Sequence, residues 1–145
     1  MKVVVQIVQK ARLTVEDKLI SKIGHGFVVF FGVEKGDDEC KLDYFVKKIT
    51  KMRVFKDEND KTNLSIRDVN GEVLLVSQFT LAADYEHGNR PSFSSAEGPE
   101  RAKELYLQCA KMLENDGIVV KLGAFGEHMI IDQVNEGPFT IILQK

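Results

Sequence analysis

NGEVLLVSQFTL, running from Asn70 to Leu81, packs a turn, a strand and the end of that strand into one short stretch. Asn70-Gly71 is the pair that a type I′ hairpin turn demands, because both of its central positions need positive φ. The apolar run that follows predicts a strand from Glu72 to Phe79. This strand closes on SQFTL (Ser77 to Leu81), where the Ser77 and Thr80 hydroxyls, the Gln78 amide and the free N–H groups of a strand terminus come together. Such groups are the parts of an oxyanion hole. The competing reading is a buried strand end with Phe79 and Leu81 in the core.

Upstream, residues 3 to 9 are rich in valine and isoleucine and alternate only partly, which predicts a strand buried on both faces. Leu19 to Ile23 and Gly26 to Val33 read as the next two strands. Asp37 or Asp38 then caps a helix reaching to about Met52, whose Leu42, Phe45, Val46 and Ile49 form one apolar stripe that needs a sheet to cover. Arg53 to Phe55 is a short extended piece, followed by a polar turn over Asp57 to Asp60. Downstream, the long segment Ala82 to Gly98 carries Gly88 and Pro91, and a loop of that length is more often functional than accidental. A second helix begins near Pro99 and ends at Gly117, with Ala102, Leu105, Tyr106, Cys109, Ala110 and Leu113 on one face. Ile118 to Leu122, His128 to Val134 and Phe139 to Leu143 read as strands, the last two joined through NEGP. The expected fold is α+β, a single domain over residues 1–145 with two helices laid on a mainly antiparallel, barrel-like sheet.

The 145 residues suit one ordinary domain. With 43% hydrophobic and 29% charged residues, the composition is that of a soluble globular protein. The longest apolar run, Phe27 to Val33, falls far short of the roughly 18 residues that cross a bilayer. The first residues pass straight into a strand rather than a cleavable leader, so a cytoplasmic protein with no membrane partner is expected. The net charge of −2 does not attract polyanions as a whole, no DNA partner is expected, and any RNA contact needs a local basic patch. Lys47, Lys48 and Lys51, with Arg53 and Lys56 just beyond, are the candidates; a solvated helix face explains them equally well.

Cys40 and Cys109 stand alone on predicted helices and suggest neither a zinc motif nor a disulfide. Cys40 lies in a first helical turn, where a thiol pKa falls, yet free cysteine is commonly a small hydrophobe. His25, His87 and His128 are scattered without a spaced partner, which speaks against a triad. There is no Walker loop, dinucleotide fingerprint or HExxH, so no cofactor and no metal are called for. Gly123 to Gly126 imitates the GXXG loop of a KH domain, but it lies between predicted strands and reads as a turn. NEGPFT (Asn135 to Thr140) is either an ordinary hairpin turn or a rigid pair of carbonyls, since a Gly-Pro bond is among those most able to sit cis.

Taken in order, SQFTL, GNRPSF (Gly88 to Phe93), GxF (Gly123 to Phe125) and NxGPxT near the C-terminus, with GVEKGDD (Gly32 to Asp38) also fitting, make a specific pattern. Over essentially its full length the chain resembles the D-aminoacyl-tRNA deacylase family. The resemblance implies a homodimer with two sites at the subunit interface, and hydrolysis of the ester joining a D-amino acid to the terminal adenosine of tRNA. It implies that Ser77, Gln78, Phe79 and Thr80 line the adenosine and ester pocket, with Gln78, Phe79 and Thr80 nearest the chemistry and Met129 as a pocket wall. It also implies that Gly137 and Pro138, in cis form, reach the partner's site as a chirality filter, and that the ribose hydroxyl of the RNA assists. An activated ester needs orientation and oxyanion stabilisation more than a strong nucleophile, so Thr80 is expected as a positioning hydroxyl. Glycine offers no side chain to reject, hence tRNA charged with glycine is an expected second substrate. The chain departs from the family pattern at Ile7, where arginine is common, at Glu127 and His128, where a small residue and an acid are usual, and at Phe139, where valine is usual.

Two rivals come from other classes. One is a noncatalytic RNA-binding or scaffold homodimer on the same fold, motivated by these departures and by the basic helix. The other is a thiol- or histidine-dependent hydrolase of small esters, which requires Cys40, Cys109 or a histidine to be essential.

Overall fold

The computed structural model describes residues 1–145. Its strands are β1 (Lys2–Val15), β2 (Lys18–Ile23), β3 (Gly26–Gly32), β4 (Phe55–Lys56), β5 (Thr62–Leu64), β6 (Glu72–Ser77), β7 (Val119–Leu122) and β8 (Ile130–Gln144), and its helices are α1 (Leu42–Lys51) and α2 (Pro99–Asn115). Six strands form one sheet in the order β2-β1-β3-β6-β7, with β8 paired to β1; β4 and β5 make a separate ribbon.

β1 organises the sheet. One of its edges gives its first half to β3 and its second half to β2, while the other carries β8 along almost its whole length. Near Gln9 an extra residue enters β1, and a bulge of this kind reverses which face later side chains take. Val3, Val5 and Ile7 accordingly join the core cluster under the helices, whereas Val8, Ala11 and Leu13 join a second cluster with Val28, Leu74 and Val76. The resulting twist brings β2 close to β7, where Ser21 Oγ donates to the Leu122 carbonyl at 2.6 Å without forming a ladder. The sheet is thus nearly closed and barrel-like.

The sheet is mixed, which corrects the mainly antiparallel expectation. β1 pairs antiparallel with β2, β3 and β8, but β3 with β6 and β6 with β7 are parallel. A parallel pair requires a long crossover, and each crossover here contains a helix, α1 between β3 and β6 and α2 between β6 and β7. The Asn70-Gly71 signal is likewise corrected, since no hairpin joins β5 to β6. Asn70 does take a positive φ of 49°, but Gly71 does not. Gly71 is required for a close approach, because a Cβ there would stand 2.8 Å from Ile66 Cγ1 and 3.3 Å from the Gly26 backbone.

The two strands read from His128 and from Phe139 are one strand, β8, because both halves find partners on the same long β1. Both helices follow their sequence signals. Asp38 caps a short 3-10 turn (Glu39–Lys41) by accepting from the Cys40 N–H at 3.1 Å, and α1 follows with Leu42, Phe45, Val46 and Ile49 buried. α2 starts on Pro99, ends before Gly117 at φ 83°, and buries Leu105, Tyr106, Cys109, Ala110 and Leu113. Each large apolar side chain so buried contributes about 1.5 to 3 kcal/mol.

Candidate active site at the end of a central strand

β6 lies between two parallel neighbours and is buried from Val73 to Val76. At its end the Gln78 N–H still donates to the Phe31 carbonyl (2.9 Å), after which the chain turns into a 3-10 helix over Phe79–Ala82. The first N–H groups of any helical turn have no partner within it, and those of Phe79 and Thr80 donate to no backbone or side-chain acceptor. Two adjacent donors therefore stand free at the rim of a rigid strand. Gln78 Nε2 donates to Thr80 Oγ1, which ties the two polar side chains to each other on the solvent side.

Next to these donors is a cavity of about 510 Å³. Ser77, Gln78, Phe79, Tyr106, Phe125 and Met129 are among the residues that line it. Thr80 is exposed at the mouth and does not line it. Phe79 is 58% exposed, which overturns the reading of this segment as a strand end with Phe79 in the core. Its ring stands edge-on to Phe93 of the Ala82 to Gly98 segment at 5.0 Å. That segment is folded back on the body by antiparallel bridges between Asp84 and Ser92 and between Glu34 and Ala96.

Tyr106 was legible only as part of a helical stripe, yet its ring closes the cavity. Its hydroxyl donates to the Leu75 carbonyl at 2.8 Å. Burial raises its pKa well above the ordinary tyrosine range, so the hydroxyl is neutral at physiological pH and donates to Leu75. Gly123 to Gly126 forms a turn between β7 and β8, with Gly126 at φ 82°. The Gly123 N–H also donates to Leu75 (2.8 Å), and a Cβ at Gly123 would come within 3.1 Å of Met129 Sδ. Glu127 and His128 lie on the cavity's margin.

Gly137 and Pro138 are not in this cavity. The Gly137-Pro138 peptide is cis, with Gly137 at φ 117°. Ladder pairing stops at Asn135, opposite Val8, and resumes at Thr140, opposite Gln6, so Ile7 alone faces the four residues Glu136 to Phe139. This excursion borders a second, smaller cleft of about 120 Å³ shared with Ile7, His25 and Phe55. The residues singled out from the sequence thus fall into two separate places in one chain.

A row of apolar side chains runs across the sheet between those places. Val76 pairs with Phe30, Phe30 with Val4, and Val4 with Ile142. Phe30 packs on the cluster that faces away from the helices, and Ile142, at the open edge of β8, is 71% exposed.

The remaining candidates lie elsewhere. Lys47 is paired with Asp43 at 2.6 Å, Lys48 sits over the Tyr44 ring at 5.7 Å, and Lys51 is exposed on the same helix. Arg53 is bound to Asn63 and Lys56 to Asp60 (2.6 Å), so acidic and amide neighbours occupy much of the basic segment. None of these residues lines the cavity. Burial pushes the Cys109 thiol up to about 12, which keeps it un-ionised at neutral pH, while Cys40 is exposed on the far side of the 3-10 turn's cap. No histidine is hydrogen-bonded to a serine or a cysteine.

Comparison with known proteins identifies the relatives of the chain. The chain is 50% identical over 145 residues to a D-aminoacyl-tRNA deacylase of Limosilactobacillus reuteri, with all of both chains covered. It is 49% identical over 143 residues to a D-aminoacyl-tRNA deacylase of Lactobacillus acidophilus, with 99% of each covered. A solved structure described as c-Myc DNA Unwinding Element Binding Protein superposes with a TM-score of 0.94 at 38% identity, over 100% of this chain and 99% of that one. The family model for D-Tyr-tRNA(Tyr) deacylase matches residues 4–144, and the chain belongs to that family.

Proposed function

We propose that this protein is a D-aminoacyl-tRNA deacylase that proofreads chirality, hydrolysing the ester between a D-amino acid, or glycine, and the terminal ribose of tRNA. The observation that carries this reading is the pair of unpartnered N–H groups on Phe79 and Thr80 beside an apolar cavity at the end of β6. Water adds to the ester carbonyl and gives up a proton to solvent, and the carbonyl oxygen takes up negative charge as the tetrahedral intermediate forms. Preorganised N–H donors stabilise that charge by about 2.7 to 4 kcal/mol each. The carbon–oxygen bond to the ribose then breaks, the leaving ribose oxygen takes a proton, and free amino acid and tRNA separate. Ser77, Gln78 and Met129 hold the terminal nucleoside, with Tyr106 and Phe125 as an apolar floor. Thr80 positions Gln78 and supplies no nucleophile.

Chiral selection needs the Gly137-Pro138 wall, which one chain keeps outside its own cavity. A homodimer resolves this. The apolar row from Val76 to Ile142, exposed at the edge of β8, is a surface on which a second copy can dock and lend its Gly137 and Pro138 to the first copy's pocket. Rigid carbonyls there exclude an L side chain and leave room for a D side chain or a hydrogen atom. Lys47, Lys48 and Lys51 contribute at most long-range attraction for the phosphate backbone, given their internal partners. No helix is long and apolar enough to cross a membrane, which is compatible with a place beside the translation machinery in the cytoplasm.

Incubating the purified protein with D-tyrosyl-, glycyl- and L-tyrosyl-tRNA tests the reading. Rapid loss of the D and glycyl esters with the L ester spared is expected. RNA binding without turnover, or equal loss of both enantiomers, would establish the noncatalytic dimer or an unselective esterase instead.

A further inference from the structure

Glu136 to Phe139 face only Ile7, so no ladder fixes them between Asn135 and Thr140. Two side chains anchor this excursion to the body of the protein. At one end Phe139 packs on the core under the helices and shares the small cleft with Ile7 and Phe55. At the other, Glu136 Oε2 stands 3.5 Å from His25 Nε2, the two side chains being 41% and 42% exposed.

His25 is itself firmly held. Its ring stands edge-on to Phe55 at 5.0 Å, and Phe55 stacks on the fully buried Phe27 at 4.9 Å. Its carbonyl accepts from the Glu72 N–H (3.0 Å), and the neighbouring Gly24 N–H donates to the Glu72 carboxylate (2.6 Å). The charged groups around the pair are few. Glu72 is engaged with Gly24, and Lys56, which also feels Glu136, is bound to Asp60 at 2.6 Å. Lys56 lines the same small cleft as His25 and Glu136.

We infer that His25, Glu136 and Phe139 are positioning residues for the Gly137-Pro138 wall, and that the contact between His25 and Glu136 tightens stereochemical discrimination by fixing this excursion. This rests on the reading of Gly137-Pro138 as the chirality wall. The anchor acts on selection and leaves the oxyanion donors of Phe79 and Thr80 untouched, since these belong to a different strand end.

The test measures kcat/KM for D-tyrosyl- and L-tyrosyl-tRNA, after subtracting uncatalysed hydrolysis, on the full chain and on His25→Gln, His25→Lys, Glu136→Gln and Gly137→Ala. His25→Gln and Glu136→Gln should lower the D-to-L ratio about threefold, the scale set by a half-exposed polar pair, while His25→Lys, which restores a partner for Glu136, should keep the ratio of the unmodified protein. The rate constant on the D ester should stay within about twofold in these three variants. A ratio that Glu136→Gln leaves unchanged while Gly137→Ala lowers it would overturn the anchor alone. If Gly137→Ala leaves the ratio unchanged too, the wall itself is misassigned.

Discussion

The strand end at Ser77 to Thr80 and the excursion at Glu136 to Phe139 are opposite solutions to the problem of presenting backbone groups to a substrate. The first emerges from β6, a central strand held by parallel neighbours on both sides and buried over Val73 to Val76. The second interrupts β8, which pairs on one side only and is held by a few side chains. In the proposed reaction the groups that stabilise charge sit on the packed strand, because preorganisation is the source of their effect. The proposed chirality wall sits at an edge that the proposed dimer would cover.

Removing one donor tests the rigid half of this contrast most severely. Proline is tolerated at the first position of a helical turn whose N–H is unpaired, and Gln78 precedes Phe79 with φ −144° and ψ 80°, outside the helical region that proline disfavours. Phe79→Pro and Phe79→Ala both lose the ring, but only the first loses the N–H. The proline variant should turn over D-tyrosyl-tRNA about 100-fold more slowly than the alanine variant, with a similar Tm. Equal rates for the two would remove the Phe79 N–H from the reaction.

Gly137→Ala should damage the other half differently. A Cβ there would lie 2.7 Å from the Phe139 nitrogen at a φ of 117°, which costs about 1 to 2 kcal/mol. Discrimination between enantiomers should drop about tenfold while turnover of the glycyl ester changes less. An unaltered enantiomer ratio with the expected loss in Tm would mark Gly137 as structural only.

Asp37 links the two halves through the start of β1. Burial raises its pKa, but the Lys41 ammonium (2.7 Å), the Met1 ammonium (2.6 Å) and the Glu34 N–H outweigh this and hold the carboxyl below its ordinary 3.8. A depressed folded-state pKa gives stability that is complete above the unfolded value and disappears as pH falls through the folded one. Met1 also donates to the Lys145 carbonyl beyond β8 (3.0 Å). Acid below about pH 4 should therefore raise amide exchange at the end of β8 before that of β6; simultaneous loss of protection would show that the two strands open as one.

The smallest effect is expected from Tyr106→Phe. The Leu75 carbonyl would keep the Gly123 N–H when the hydroxyl is lost, so stability should fall by only about 1 kcal/mol. With the hydroxyl engaged to Leu75 and given no part in the proposed reaction, the pH profile of kcat should be unchanged. A shifted profile would give Tyr106 a chemical role.

Local signals were legible in the sequence wherever one element decides the outcome. The stripe on α1, Asp38 before it, Pro99 at the start of α2 and Gly117 after it act within a turn or two of chain. Pairing partners were not legible, because parallel and antiparallel neighbours of β3 and β6 bury the same valines. The Asn70-Gly71 signal misled for a related reason, as Gly71 answers to Ile66 and Gly26 across space and not to a hairpin. Of the candidate site, Ser77, Gln78, Phe79 and Met129 were singled out by the ordered motifs and line the cavity, while NEGPFT, singled out in the same way, lies apart from it. Tyr106 was hidden among helical core positions, and the distance between Gly137-Pro138 and the cavity within one chain is a matter of tertiary arrangement.

The way β1 serves as a template has a further consequence for how such a molecule can change. Because each half of β8 is registered on its own stretch of β1, the ladder on either side of Glu136 to Phe139 does not depend on pairing by those four residues. On the proposed assignment the excursion is in effect a cassette, whose length and shape can drift toward stricter or looser selection while the strand end of β6 stays where it is.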